Sequence, residues 1–288
     1  MNSCQKYFSV CALALLTQAA FAQSAPALGS ASSFAVLSAA ANGGGAVTCT
    51  DSTISGDVGS SGQPASVVRT SCSISGAVVA PVSAQVVADF DSAYAALALE
   101  TCTQTYTQAA FTGETLSLTP GVICFPAAAT FTDTTLTLVG SSSDLWIFKI
   151  GTSGTGALTG TNFSVVMANG ATACNVTWWV AEAATMTTSN FQGTILAGAA
   201  ITGTGVAPTS PYEGRALAKA AVTLTNVAFV GCTGGSIGGT AKAKCNQGVG
   251  NGPEGCDPGN SNQGNPFRSN DERGGTPGDP GRQGGNTL

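Results

Sequence analysis

The sequence predicts a mainly β protein, a β-solenoid of triangular section with one long α-helix packed alongside. Two similar strings, ISGDV at residues 54–58 and ISGAV at residues 74–78, lie twenty residues apart, which is about one turn of a β-solenoid. Threonine-rich runs recur between residues 157 and 228, and each holds one large apolar residue among small or hydroxyl residues, as in a strand with one buried side. The predicted strands fall into three groups by composition, so each coil is expected to have three faces.

Residues 1–22 are interpreted as a secretory signal peptide. Lys6 supplies a positive charge, residues 10–16 form an apolar run, and Ala20-Phe21-Ala22 is a small-x-small cleavage site. The apolar run is too short for a membrane helix, which needs about eighteen or more apolar residues, and no other run approaches that length. We therefore predict a secreted protein, either extracellular or retained in a periplasm.

A helix is predicted over residues 82–100. Pro81 suits the first turn of a helix, and apolar residues recur along it at spacings of three and four, namely at Val82, Val86, Phe90, Tyr94 and Leu97. Such a stripe must lie against an apolar surface, and the flank of the solenoid is the large one available. The heavier, more aromatic strand runs at residues 145–150 and 175–180 form the face that we expect the helix to cover.

Residues 233–288 differ in composition from the rest of the chain. They are rich in glycine and proline and poor in large apolar side chains, so they cannot form a core. We interpret them as a disordered low-complexity spacer rather than a specific binding tail. The predicted solenoid domain is therefore residues 23–232.

Cysteine usage predicts disulfide bonds. Cys4 and Cys11 leave with the signal peptide, and an even number of cysteines remains in the exported chain. Zinc binding is the alternative, and it is disfavoured because the chain has no Cys-x-x-Cys pair and no histidine. The sequence does not fix the connectivity, but nearest neighbours would pair as Cys49–Cys72, Cys102–Cys124, Cys174–Cys232 and Cys245–Cys256. We expect no metal and no cofactor.

The charge content limits the classes of partner. Only 9% of the residues are charged, with 10 Lys and Arg against 15 Asp and Glu, whereas a nucleic-acid surface needs clustered basic residues. We expect a monomer with no nucleic-acid and no membrane partner. The low charge favours a partner that is itself uncharged, or no partner.

Small and hydroxyl side chains are predicted to line one outward face of the solenoid. The alignment takes one large apolar residue in each strand as the inward position, namely Leu158, Met186, Ile201 and Leu224. It gives a first column of Thr132, Thr159, Thr187, Thr202 and Thr225, a second of Thr134, Thr161, Ser189 and Thr204, and a third of Thr130, Ala157, Thr185, Ala200 and Thr223. Thr48 and Thr50 extend the array if Cys49 points inward. No charged residue falls in these columns.

This grid has the geometry of a surface that orders water. Neighbouring strands lie about 4.7 Å apart and alternate residues about 6.7 Å apart, which is near the repeats of an ice surface. Each threonine adds a hydroxyl that can hold a water and a methyl group that limits where that water goes, and its β-branch stiffens χ1. Rigid order favours adsorption, because a flexible side chain would lose entropy on binding.

Strings spread over residues 28–232 closely resemble the large microbial ice-binding protein family. They follow the family's order: LG at 28–29 with FAVL at 34–37, ISGDVG at 54–59, LTPGV at 118–122, WIFKIG at 146–151, ACNVTW at 173–178, FQGTILA at 191–197 and GRALA at 214–218. The resemblance implies a right-handed, discontinuous β-solenoid with one long helix, in which the N-terminal coils stack between later ones. The insertion PTSP at 208–211, the extra cysteines and the glycine-rich tail depart from the pattern.

The resemblance also implies a function. It implies adsorption to ice crystals through one flat solenoid face, with thermal hysteresis and inhibition of ice recrystallisation. An ice crystal surface is therefore the predicted partner, and the three columns are the predicted ice-binding residues.

Two other classes of function are considered. Threonine is favoured in the exposed strand positions of any solenoid, so the columns also fit an exported adhesion or matrix solenoid, although such a protein is expected to carry a second folded domain or an anchor. A glycan-cleaving enzyme is disfavoured because the chain has no histidine and its acids are scattered over different coil positions, at Asp57, Asp133, Asp144, Glu182 and Glu213. Asp57 is interpreted as a turn cap, and Glu213 with Arg215 as a surface pair. We predict no enzymatic activity.

Overall fold

The computed structural model describes residues 25–206 and 210–232. The predicted signal peptide at 1–22, the tail at 233–288, the Cys245–Cys256 pair and Pro208 with Thr209 lie outside the described residues. None of the helices in the described ranges has the length and apolar character needed to cross a membrane.

The described part of the chain is built mostly from short strands. In chain order these are β1 (Phe34–Ser38), β2 (Val47–Thr50), β3 (Thr53–Ser55), β4 (Asp57–Ser60), β5 (Val67–Thr70), β6 (Ser73–Ile74), β7 (Val78–Val79), β8 (Gln104–Thr105), β9 (Ala110–Thr112), β10 (Thr115–Leu118), β11 (Gly121–Phe125), β12 (Ala129–Thr132), β13 (Thr135–Val139), β14 (Trp146–Ile150), β15 (Leu158–Thr161), β16 (Ser164–Ala168), β17 (Val176–Val180), β18 (Ala184–Thr187), β19 (Phe191–Ala197), β20 (Ile201–Thr204), β21 (Ser210–Ala218), β22 (Val222–Thr225) and β23 (Val227–Gly231). The α-helix α1 covers Ala84–Leu99, and short 3-10 helices cover Gly29–Ser33, Ala41–Gly43, Pro64–Ser66 and Ala173–Asn175.

The strands pair in parallel and form three faces. The threonine face is the eight-stranded sheet β5-β2-β22-β20-β18-β15-β12-β9. The helix face runs from β8 through β11, β14 and β17 to the second halves of β19 and β21, and then to β1, β4 and β7. The mixed face consists of β10, β13 and β16, the first halves of β19 and β21, and then β23, β3 and β6. Most coils contribute to each face, which confirms the predicted mainly β solenoid of triangular section.

Chain order and spatial order differ, so the solenoid is discontinuous. Strands β1 to β7 form coils at one end, and α1 then connects β7 to β8 at the opposite end. From β8 the chain winds back coil by coil until β22 pairs with β2 and β23 pairs with β3. The right-handed sense of the coil stays a prediction.

The N-terminal coils close one end of the stack. On the threonine face β2 pairs with β22 on one side and with β5 on the other, so only one neighbour is a later strand. The expectation that the N-terminal coils lie between later ones is therefore wrong. They lie beyond the last coil because the C-terminal strands end against them.

The predicted helix is confirmed with most of its apolar stripe, but it begins at Ala84, so Pro81 and Val82 precede it. The Ser83 hydroxyl accepts a hydrogen bond from the Val86 N–H at 3.4 Å and caps its N-terminus. Val86, Phe90 and Leu97 are buried against the helix face, as is Ala93, whereas Tyr94 is half-buried. The helix therefore lies on the face that the aromatic strands predict.

Polar contacts fix α1 to β14 and β17. The Trp179 indole N–H donates to the Tyr94 carbonyl at 3.0 Å, and the Tyr94 hydroxyl donates to the Val180 carbonyl at 3.0 Å. The buried Lys149 ammonium donates to the carbonyls of Ala98 and Glu100 at 2.8 and 2.7 Å. A cation at this end complements the helix dipole and satisfies carbonyls that have no partner within the helix, although burial lowers the pKa of Lys149.

Stacked aromatic rings fill the interior beneath the threonine face. Phe111, Phe131 and Phe163 stack with ring centroids 5.0 and 4.6 Å apart, and Phe148 stacks on Trp178 at 3.9 Å. Each such pair contributes about 0.5–1.5 kcal/mol beyond its buried area. The rings repeat from coil to coil, so the sheet above them is supported at regular intervals.

Three of the nearest-neighbour disulfide pairs are confirmed. Cys49 bonds Cys72, Cys102 bonds Cys124, and Cys174 bonds Cys232. Cys49 is an inward residue of β2 and is fully buried, as the extension of the array to Thr48 and Thr50 requires.

Arg215 is not a surface residue, so its interpretation as half of a surface pair is wrong. It is 1% exposed, and its guanidinium donates to the carbonyls of Ser32 and Cys232 at 3.2 and 3.0 Å. Burial lowers its pKa to about 10. Arg215 therefore joins the N-terminal segment to the last coil. Asp57 does act at a turn, where its carboxylate accepts from the Ala77 N–H at 2.7 Å.

Candidate functional site

Six consecutive strands of the threonine face repeat the string Ala-x-Thr-x-Thr. The string occupies residues 46–50, 128–132, 157–161, 183–187, 200–204 and 221–225. Because alternate residues of a strand point to the same side, each string presents one alanine and two threonines outward. The twelve threonines are half-buried or exposed, while the residues between them are buried.

The strand register sorts the outward residues into three columns. The first threonine column is Thr130, Thr159, Thr185, Thr202, Thr223 and Thr48, and the second is Thr132, Thr161, Thr187, Thr204, Thr225 and Thr50. The alanine column is Ala128, Ala157, Ala183, Ala200, Ala221 and Ala46. Its backbone continues the ladder, because the Ala183 carbonyl accepts from the Leu158 N–H and the Ala200 carbonyl from the Ala184 N–H, both at 3.0 Å.

The predicted columns mixed two registers. Thr159 and Thr202 were aligned with Thr132, Thr187 and Thr225, but they pair with Thr185 and Thr223 in the first threonine column. Ala157 and Ala200 likewise belong beside Ala183 rather than beside Thr130, Thr185 and Thr223.

Small inward residues explain the error. Gly160 and Gly203 occupy the inward position that Met186 and Leu224 hold in the neighbouring strands. A Cβ at Gly160 would lie 2.7 Å from the Met186 sulfur, and one at Gly203 would lie 3.0 Å from Leu224 Cδ2. Large and small residues therefore alternate beneath the face, and aligning by the large residue shifts two strands by two positions.

Thr134 and Ser189 are not on the face, which corrects their predicted place in it. Both are 1% exposed. The Thr134 hydroxyl donates to the carbonyls of Phe111 and Thr132 at 3.1 and 3.0 Å, and the Ser189 hydroxyl donates to the Thr187 carbonyl at 2.9 Å. Their hydroxyls are therefore used inside the corner that follows each strand, where they satisfy backbone groups.

A row of left-handed residues turns the chain at the corner between the threonine face and the mixed face. Asp133, Asn162 and Thr188 have φ angles of 50°, 49° and 49°. Their N–H groups donate to the carbonyls of second-column threonines in the next strand, Asp133 to Thr161 at 3.0 Å, Asn162 to Thr187 at 2.9 Å and Thr188 to Thr204 at 2.7 Å. The corner therefore holds the second threonine column in register.

Charges border the face but do not enter its three columns. Asp51 and Asp133 are exposed at the corner that follows the second threonine column, and Glu182 is exposed just before Ala183. At about 4.8 Å between strands and about 6.7 Å between alternate residues, the six strands give an uncharged area of about 24 by 13 Å. Helix α1 lies on a different face, so no helix of the described part of the chain covers this area.

The end strands break the pattern. In β9 the outward residues are Ala110 and Thr112, and in β5 they are Val68 and Thr70, with Arg69 exposed beside them. Sequence reasoning missed Thr70 and Thr112, together with Ala46, Ala128, Ala183 and Ala221. The repeated Ala-x-Thr-x-Thr string was the signal that would have found the four alanines.

Comparisons with known proteins bear on this arrangement. A sequence profile described as Ice-binding-like matches residues 40–230. No curated protein matches the chain significantly.

Several solved structures are similar to this chain. An ice-binding protein from an Antarctic biological consortium is 28% identical with a TM-score of 0.59, over 73% of this chain and 92% of that one. An ice-binding protein from the ascomycete Antarctomyces psychrotrophicus is 29% identical with a TM-score of 0.58, over 70% and 96%. An ice-binding protein from an Antarctic Flavobacteriaceae bacterium is 32% identical with a TM-score of 0.58, over 72% of this chain and 47% of that one.

Proposed function

The chain belongs to the Ice-binding-like family, and from this premise we propose that it adsorbs to ice crystals through the threonine face. Adsorbed protein prevents the ice surface from advancing between bound molecules, so we expect thermal hysteresis and inhibition of ice recrystallisation. The observation that carries the proposal is the uninterrupted block of six Ala-x-Thr-x-Thr strings in one parallel sheet.

The chemistry of the block suits a solid-water ligand. Each threonine offers one hydroxyl to water and one methyl group that restricts its position, and the β-branch leaves few χ1 states to be lost on adsorption. The half-buried state of most of these side chains limits their motion further. A charged side chain would hold its own hydration shell in another pattern, and the columns contain none.

The proposal also covers the compartment and the oligomeric state of the protein. We propose that the chain is secreted and acts as a monomer, with the three disulfides as support for an oxidising compartment. No catalysis is proposed. In the described ranges, no group of three or more His, Cys, Asp and Glu residues is placed to hold a metal ion.

Thermal hysteresis and ice-crystal shape test the proposal. The full chain should shape ice crystals and open a gap between melting and freezing, and Thr187→Tyr should remove most of that gap because the ring stands above the plane of the face. Thr137→Tyr is the matched control, since Thr137 is a half-buried outward threonine in the middle of β13 on the mixed face. Equal hysteresis in wild type and Thr187→Tyr would contradict the assignment of the face.

A further inference from the structure

Thr188 stands out in the corner row. The other described residues of this row with positive φ are Gly113, Asp133, Asn162, Asn226, Asp51 and Ser71, and glycine, asparagine and aspartate adopt this conformation most readily. Threonine is β-branched, and a β-branched residue with a φ of 49° is strained. Asparagine or glycine would turn this corner at lower cost.

The Thr188 hydroxyl is not used as the side chain of the neighbouring corner is used. Its neighbour Asn162 donates from its side-chain amide to the Asp133 carboxylate at 2.7 Å, which ties two successive corners together. In contrast, no hydrogen bond of the Thr188 hydroxyl occurs within residues 25–206 and 210–232, and the residue is half-buried. Thr188 Oγ1 is also not one of the buried oxygens that lack a partner in the described residues, so the hydroxyl is accessible to water.

Thr188 also lies at the middle of the row. It follows Thr187 directly, and its nearest corners, Asn162 and Gly205, are uncharged. The charged corners, Asp133 and Asp51, lie further away along the stack. Strain retained at one position where a cheaper residue exists is a reason to look for function there.

We infer that Thr188 is a further ice-contacting residue, so that the recognition surface extends past the second threonine column onto the corner of this coil. The inference rests on the proposed function of the threonine face. It adds a hydroxyl and a methyl group to the row of Thr185 and Thr187, at the position where the chain turns.

Substitution of Thr188 separates recognition from stability. Thr188→Gly relieves the strain, and with it we expect the melting temperature to rise by about 2–4 °C for a domain of this size. The same variant should lose about half of the thermal hysteresis, a factor of two. Thr188→Ser keeps the hydroxyl and should retain more hysteresis than Thr188→Gly.

Asn162→Gly is the matched control. It removes a side chain from the adjacent corner with the same φ angle, and it should leave hysteresis unchanged because the Asn162 amide is held by its hydrogen bond to the Asp133 carboxylate. Unchanged hysteresis in Thr188→Gly, whatever its melting temperature, overturns the inference. Thr202→Tyr distinguishes this failure from a failure of the proposed function. If Thr202→Tyr abolishes hysteresis while Thr188→Gly leaves it unchanged, the threonine face binds ice and only the inference about Thr188 is wrong.

Discussion

The threonine face and the mixed face are built on the same coils but differ in what they present. Each has parallel strands in register whose alternate residues point outward. On the threonine face both outward positions of the strand are threonine in six successive strands. On the mixed face the corresponding central positions are Asn190, which lies just before β19, and Gln192, Pro211 and Glu213, with Val166 and Val230 exposed on either side.

This difference separates strand propensity from function. Threonine is favoured on any exposed strand, and the mixed face does contain Thr115, Thr135 and Thr137. Propensity alone would therefore enrich both faces to the same degree. Uniformity on one face only is what a periodic ligand would require, because one charged or bulky residue would interrupt the contact.

Among the substitutions that compare the two faces, a charged residue should have the largest effect on thermal hysteresis. Thr185→Lys places an ammonium group between Thr159 and Thr202, and we expect thermal hysteresis to fall by more than about tenfold, because the charge holds its own hydration shell in the middle of the face. Gln192→Lys introduces the same charge on the mixed face and should leave hysteresis near the wild-type value. Similar losses in both variants would mean that net charge, and not the face, determines activity.

Removing only the hydroxyl or only the methyl group of one face threonine should have a smaller effect on thermal hysteresis. Thr202→Val removes the hydroxyl and Thr202→Ser removes the methyl group, and each should lower hysteresis by about twofold because each removes one of the two groups that position water. Thr137→Val on the mixed face should have no effect. Full activity in Thr202→Ser would show that the methyl group and its restraint of χ1 are dispensable.

Buried corner hydroxyls should behave in the opposite way to face threonines. Ser189→Ala removes a donor to the Thr187 carbonyl and an acceptor for the Phe163 N–H, which should lower the free energy of unfolding by about 1 kcal/mol. Hysteresis should be unchanged at temperatures where the protein is folded. Thermal denaturation followed by circular dichroism measures the first quantity, and a drop in hysteresis with an unchanged melting temperature would return Ser189 to the ice-binding residues.

The sequence predicted the fold class and the helix because these depend on local periodicity, whereas the three confirmed disulfide pairs followed only from pairing nearest neighbours. It could not predict that β2 stacks on β22, since that pairing joins segments far apart in the chain and has no local signal. The sequence identified most residues of the threonine face, but it did not give the register between the strands of that face. Gly160 and Gly203 hold inward positions only because Met186 and Leu224 fill the space from adjacent coils, and packing between coils cannot be read from one strand.

Thr134 and Ser189 show a second limit. A hydroxyl two residues beyond a face threonine continues the alternating pattern of a strand, whereas the chain has already turned at Asp133 and Thr188. Aspartate at such a position is a turn signal that was available. Threonine at 188 gave no such signal, because a β-branched residue normally continues a strand.

Partition into slowly growing ice tests the central claim most directly, because it measures adsorption itself. Wild type and Thr137→Tyr should be enriched in the ice fraction, and Thr202→Tyr should stay in the liquid, provided that circular dichroism shows all three to be equally folded. Enrichment of Thr202→Tyr in ice to the wild-type level would contradict the account, because the threonine face would then not be the surface that binds.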